Sequence, residues 1–176
     1  MEIIMRSGFI AITGRPNAGK STLLNKIIGE KVAIVSNKPQ TTRTKILGVH
    51  TGDDYQLVLI DTPGIHKPRN KLGQRMEKYI YTATQDIDAL IYVVDCNIGA
   101  AEYELEKESL EGLKTSGIPV ILAVNKIDTL PKLNLLPILD KLGGMYDFSD
   151  IIPISAQKGT NVGELLDKIK EYMKEG

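Results

Sequence analysis

The chain has 176 residues, 42% of them hydrophobic and 25% charged, with 22 basic and 22 acidic side chains and a formal net charge of zero. These values describe one ordinary globular domain with enough chain for a full core, and they exclude a protein that coats nucleic acid by charge alone. The single cysteine, Cys96, excludes an internal disulfide; no apolar run is long enough for a membrane span, and Met1–Phe9 lacks the apolar centre of a signal peptide, so a cytoplasmic domain is expected.

Strand-like runs alternate with helical patterns along the whole chain, the pattern of βαβ units around a mainly parallel sheet. Phe9–Thr13 is a short apolar strand. Ser21–Gly29 is helical, with Leu23, Leu24, Ile27 and Ile28 on one face. Lys45–His50 and Tyr55–Asp61 are strands joined by the turn Thr51-Gly52-Asp53-Asp54, which makes one antiparallel edge. Leu72–Gln85 is a helix, and Ala89–Asp95 is a strand buried on both faces. Glu102–Ser116 is a helix stopped at Gly117, followed by a strand at Val120–Val124. A short helix at Lys132–Leu142, a strand at Ile151–Ile154 and a helix at Val162–Met173 complete the chain. Val162, Leu165, Leu166 and Ile169 form a stripe expected to pack on the core. The six expected strands make a doubly wound α/β sheet.

Four short motifs lie on the loops that leave these strands. Gly14-Arg15-Pro16-Asn17-Ala18-Gly19-Lys20-Ser21, followed by Thr22, satisfies G-x-x-x-x-G-K-[ST] between a strand and a helix. Glycines let the backbone curl until successive N–H groups converge on phosphate oxygens, and the helix start adds its positive dipole end. Lys20 then neutralises the outer phosphates and Ser21 offers a hydroxyl to Mg²⁺. The fold class that follows is a P-loop NTPase.

Asp61-Thr62-Pro63-Gly64 begins at a strand's carboxyl end, where open α/β sheets bind ligands. Asp61 is suited to hold Mg²⁺, directly or through water, and Gly64 to bring a bare N–H to a γ-phosphate. Between the two motifs, Ser36–Arg43 is polar and without apolar period. A hydroxyl there, Thr42 first and Thr41 second, completes the metal shell only while a γ-phosphate is present, an order–disorder switch.

Asn125-Lys126-Ile127-Asp128 selects guanine. Guanine presents N1–H and its N2 amine as adjacent donors, which one carboxylate, Asp128, accepts together; adenine offers an acceptor there and leaves the carboxylate unpaired. Asn125 ties loops together, and the Lys126 stem lies along the base. Ser155-Ala156, just past the last strand, offers a backbone N–H to the guanine O6. The ligands read from these motifs are GTP and GDP with Mg²⁺, and the chemistry is hydrolysis of the terminal phosphate.

The residues Gly14–Asn25, Pro39-Gln40-Thr41-Thr42-Arg43 and Asp61–Pro68 resemble the Era family of GTPases, and the resemblance covers residues 1–176 as one G domain. It implies a switch in small-ribosomal-subunit assembly, partnered by the subunit and its rRNA mainly through a KH domain. It further implies a monomer, and peripheral membrane association of the full-length protein. The sequence departs from the family pattern in ending at Gly176 without a GXXG-containing KH region, so an isolated or truncated G domain is expected. Ile65 stands where many small GTPases carry a water-orienting Gln. Asn17 resembles the residue beside which related GTPases hold K⁺, a charge that would serve as an arginine finger does elsewhere, and a hydrogen bond that stabilises the loop explains it equally.

Charges are unevenly spread. Lys38, Arg43 and Lys45 flank the first switch, and Lys67, Arg69, Lys71, Arg75 and Lys78 follow the second, opposed there by Glu77. Glu102, Glu104, Glu106, Glu108 and Glu111 crowd one helix. Basic switches suit an anionic partner such as ribosomal RNA, and a plain solvated face explains them equally. Cys96 is expected in the core, and His50 and His66 at the surface or an edge. The rival functions are a nucleotide-binding module with negligible turnover, the G domain of a tRNA-modification GTPase, and a P-loop ATPase or nucleotide kinase, against which Asn125–Asp128 argues.

Overall fold

The protein is described by a computed structural model, which covers residues 5–29, 45–61 and 87–175. The expected helix Leu72–Gln85, the first-switch residues Thr41 and Thr42, and Gly64, Ile65 and His66 of the second lie outside the described residues.

Strand β1 (Arg6–Gly14) leads into helix α1 (Lys20–Ile28), and β2 (Lys45–Thr51) turns into β3 (Tyr55–Asp61). Then come β4 (Ala89–Asp95), α2 (Ala100–Glu111), β5 (Val120–Asn125), α3 (Leu135–Gly143), β6 (Asp150–Pro153), α4 (Val162–Lys170) and β7 (Lys174–Glu175). The sheet order is β2-β3-β1-β4-β5-β6, parallel along this path except for the β2–β3 hairpin, with β7 pairing antiparallel to β1 off it.

Alternation along the central strands divides the core between two faces. Ile10, Ile12, Ile91 and Ile121 pack with Leu23 and Ile27 of α1 and Leu165 and Ile169 of α4. Ala11, Leu90, Tyr92, Leu122 and Val124 pack on the other face with Leu110 of α2 and Leu142 of α3. Helices on both faces explain why β4 and β5 are apolar at nearly every position. The same parallel register brings the strand ends to one edge: Asp95 lies opposite Asn125, and Ile12 opposite Asp61.

The helix boundaries differ most from expectation. Helix α2 starts earlier, where the Glu102 carboxylate accepts the Gly99 N–H at 2.6 Å, and it ends at Glu111 before a separate 3₁₀ turn at Lys114–Ser116. The expected helix at Lys132 begins as a 3₁₀ turn, with α3 proper starting at Leu135. The last helix stops at Lys170, and the two residues of β7 pair antiparallel with Arg6 and Ser7 as a seventh strand. A two-residue strand is too short to show any period. No helix among the described residues is long and apolar enough to cross a membrane.

Candidate functional site

The phosphate loop is shaped by two glycines. At Gly14 a Cβ would sit 3.0 Å from the Val93 carbonyl oxygen, so a side chain would push the loop off β4. Gly19 has φ +99°, and a Cβ there would fall 2.1 Å from Asn125 Nδ2. A side chain at 19 would thus meet both a backbone penalty and a collision with the base-reading loop. Inside the loop, the Ala18 N–H donates to the Arg15 carbonyl at 3.1 Å. Gly14–Asn17, Gly19–Thr22 and Lys126 line a hollow of about 580 Å³.

Lys20 opens α1 and Asp61 closes β3, and the two meet with Nζ 2.9 Å from Oδ1. Ser21 follows in the first turn of α1 and is exposed. A hydroxyl and a carboxylate are the hard oxygen ligands that Mg²⁺ takes when substrate phosphates and water supply the rest. No group of three acidic, His or Cys side chains that could hold a metal occurs among the described residues. One hydroxyl and one carboxylate are too few ligands for a closed protein cage and fit a metal held jointly with a phosphate ligand.

The base-reading end is cross-braced. Asn125 is 2% exposed; its Nδ2 donates to the Ala18 carbonyl at 2.8 Å, and its Oδ1 accepts the Ala156 N–H at 2.9 Å. One buried amide thus joins three of the four motifs. The sequence reading assigns that N–H region to the guanine O6; here the Ala156 N–H is on Asn125, because a buried amide oxygen needs a donor. Ser155 is fully buried; its hydroxyl donates to Asp128 Oδ1 at 2.9 Å and accepts the Lys158 N–H at 3.1 Å. That bond sets the plane of the carboxylate.

Lys126 adopts the left-handed conformation with φ +68°. Its Nζ donates to the Asn17 carbonyl at 2.6 Å and lies 3.0 Å from Asp95 Oδ2. Its own carbonyl accepts the Thr129 hydroxyl at 2.6 Å and the Cys96 thiol at 3.3 Å. Burial raises the Cys96 pKa, so the thiol stays protonated and donates, as a core residue does.

Two sets of residues escape the motif reading. Asp95, Asn97 and Thr129 brace Lys126 from the end of β4 and from the 3₁₀ turn Ile127–Thr129; a polar residue ending an apolar strand beside Asn125 is the available signal. Glu106, one of five acids on its helix, is 2% exposed, with Oε1 3.6 Å from Arg15 Nε. Tyr92 hydrogen-bonds to Glu106, and burial with that carboxylate pushes the phenol pKa up. The Arg15 side chain therefore engages α2 behind the loop. No periodicity distinguishes Glu106 from its solvated neighbours. His50, on β2, bonds the Tyr55 hydroxyl at 2.8 Å.

The sequence family described as 50S ribosome-binding GTPase matches residues 9–126. The GTPase Era of Clostridium novyi (strain NT) is 50% identical over 176 residues, covering 98% of this chain and 58% of the relative. Two solved structures are 37% identical, each covering 98% of this chain and 58% of the other. One is Aquifex aeolicus Era, a variant bound to GDP·AlF4⁻, with a TM-score of 0.72. The other is Era in complex with MgGDPNP and nucleotides 1506–1542 of 16S ribosomal RNA, with a TM-score of 0.73. The chain thus spans 58% of the length of the relatives it matches. Its matched region covers both the phosphate loop and the start of the base reader, and the chain belongs to the 50S ribosome-binding GTPase family, with the likeness of an Era G domain.

Proposed function

We propose that this chain binds GTP and GDP and hydrolyses the γ-phosphate of GTP in the presence of Mg²⁺, as a switch of the Era kind in small-ribosomal-subunit assembly. The observation that carries this reading is the Asn125 amide, which ties the phosphate loop to the base-reading loops beside a carboxylate oriented by Ser155. Lys20 and the loop amides bear the phosphate charge, and Asp128 accepts the two guanine donors. Ser21 and Asp61, with Thr42, would hold Mg²⁺, which would supply positive charge to offset that of the phosphates. Thr42 could be replaced in this role by Thr41, and Gly64 brings its N–H to the γ-phosphate. No side chain is assigned as general base. Asn17 is exposed on the loop at φ +72°, where a K⁺ beside the phosphates is the finer part of the reading.

The rRNA partner is proposed from the relative solved with 16S ribosomal RNA, and the basic residues expected on the switches suit it. Peripheral membrane association of the full-length protein, a monomeric state and a cytoplasmic location belong to the same proposal. Two experiments test it. GTP should displace a fluorescent GDP analogue and ATP should fail at a thousandfold excess; equal displacement would refute the guanine assignment. Single-turnover GTP hydrolysis should be faster in KCl than in NaCl at matched ionic strength. Equal, very slow rates would sink the K⁺ site and leave a binding module.

A further inference from the structure

Asp95 belongs to none of the four motifs. It ends β4 directly opposite Asn125 in the parallel register. Its two oxygens do different work. Oδ1 accepts the Asn97 backbone N–H at 2.9 Å and the Asn97 amide at 3.2 Å, which fixes the carboxylate against its own turn. Oδ2 lies 3.0 Å from the Lys126 ammonium, and that ammonium donates at 2.6 Å to the Asn17 carbonyl of the phosphate loop. Asn97 extends the brace by donating to the Thr129 hydroxyl at 2.8 Å, and Thr129 in turn donates to the Lys126 carbonyl.

An ammonium on a four-carbon stem is strongly hydrated and free to swing. Asp95 and Lys126 are 25% and 36% exposed, so their pairing adds little to folding. What the carboxylate does is choose a direction for the ammonium. Held by Asp95, Nζ stays on Asn17, a residue in the left-handed conformation that has a backbone cost of its own. The strand end, the base reader and the phosphate loop then share one charge.

We propose that Asp95 is a positioning residue for nucleotide binding: it holds the Lys126 ammonium on the phosphate loop and so locks the base-reading and phosphate-binding elements in one mutual geometry. The proposal rests on the guanine-nucleotide reading above. A ligand that spans both elements gains from their being pre-set, because ordering costs are then met before it arrives. Losing the lock shortens residence more than it slows encounter.

The test is stopped-flow release of a fluorescent GDP analogue from the 176-residue chain and its Asp95→Asn, Lys126→Met and double variants. Asp95→Asn keeps the shape and an acceptor for Asn97 but removes the charge. GDP release should quicken on the order of tenfold, within the range by which contacting side chains couple. Association should change less than about twofold. In the Lys126→Met background, Asp95→Asn should have no further effect, since its action runs through the ammonium. The nucleotide-free Tm should move by less than about 3 °C.

Equal acceleration in both backgrounds would overturn the proposal, as would unchanged release or a large Tm loss without a change in release. Asp95→Ser, which keeps an acceptor at this turn, provides the second variant; loss of fold in both would make Asp95 a structural residue and also overturn it. Failure of the parent chain to bind GDP at all would instead refute the nucleotide reading itself.

Discussion

The two ends of the site are built differently. The base-reading end is held by side chains: Asn125 buried between Ala18 and Ala156, Ser155 on Asp128, and Asp95 on Lys126. The phosphate end is held by backbone form, through Gly14 and Gly19, with the Lys20–Asp61 pair across its mouth. The difference has a physical sense. A base must be told from other bases, which needs donors and acceptors in set directions before binding. Phosphates carry enough charge to organise amides and an ammonium around themselves, so shape and positive potential suffice.

Gly19→Ala is the sharpest way to break that division, because Gly19 belongs to both ends. Its added Cβ would collide with Asn125 Nδ2 at a backbone angle that disfavours any side chain. GDP affinity measured by calorimetry should fall by more than about a hundredfold, the cost of strain at a positive φ plus a displaced buried amide. Affinity within fivefold of the parent would show that the two ends yield independently.

Asn125→Ala comes next. It leaves the Ala18 carbonyl and the Ala156 N–H without their partner, and unmet buried groups cost about 1–3 kcal/mol each. Urea unfolding of the nucleotide-free chain should therefore show a loss of about 2–6 kcal/mol. At the phosphate end, Lys20→Met should leave unfolding nearly unchanged, since its pair with Asp61 is partly exposed. It should weaken GTP binding at least tenfold, more than it weakens guanosine binding. A large stability loss for Lys20→Met, or none for Asn125→Ala, would erase the contrast between the ends.

The smallest effect lies away from both. Burial first, then the nearby Lys170 charge, hold the His50 pKa below its ordinary value. The unfolded chain then takes up a proton more readily as pH falls through about 6.5. The contribution of His50 to stability should be constant above neutral pH and decline below that value, weakly at this partly exposed site. His50→Gln should flatten the slope in denaturation curves taken from pH 8 to 5.5; an unchanged slope would assign the titration to other groups.

Much of the fold was legible. Strand β4 runs Ala89–Asp95, the span its pattern predicts, because seven consecutive residues carry that pattern. The apolar stripes of α1 and α4 likewise pack where their spacing placed them. Reading failed at ends. Helix α2 was drawn through to Ser116, while the chain changes to a 3₁₀ turn after Glu111. Within the site, Lys20, Asp61, Asn125, Lys126, Asp128 and Ser155 are brought to the carboxyl edge of the sheet, as their motifs implied. The partners of those residues were less legible, since Asp95 and Glu106 match no pattern.

By itself the sequence determined six of the described strands, the two-faced winding and the identity of the motif residues. Those depend on local periodicity and on residue types that few backbones tolerate, such as glycine at φ +99°. Only the tertiary structure decided that Asp95 steers Lys126 onto Asn17 and that Arg15 turns back to a buried Glu106. These contacts depend on the β4–β5 register and on which face of α2 meets the sheet. Both are set by packing between segments far apart in the chain, where no local pattern reaches.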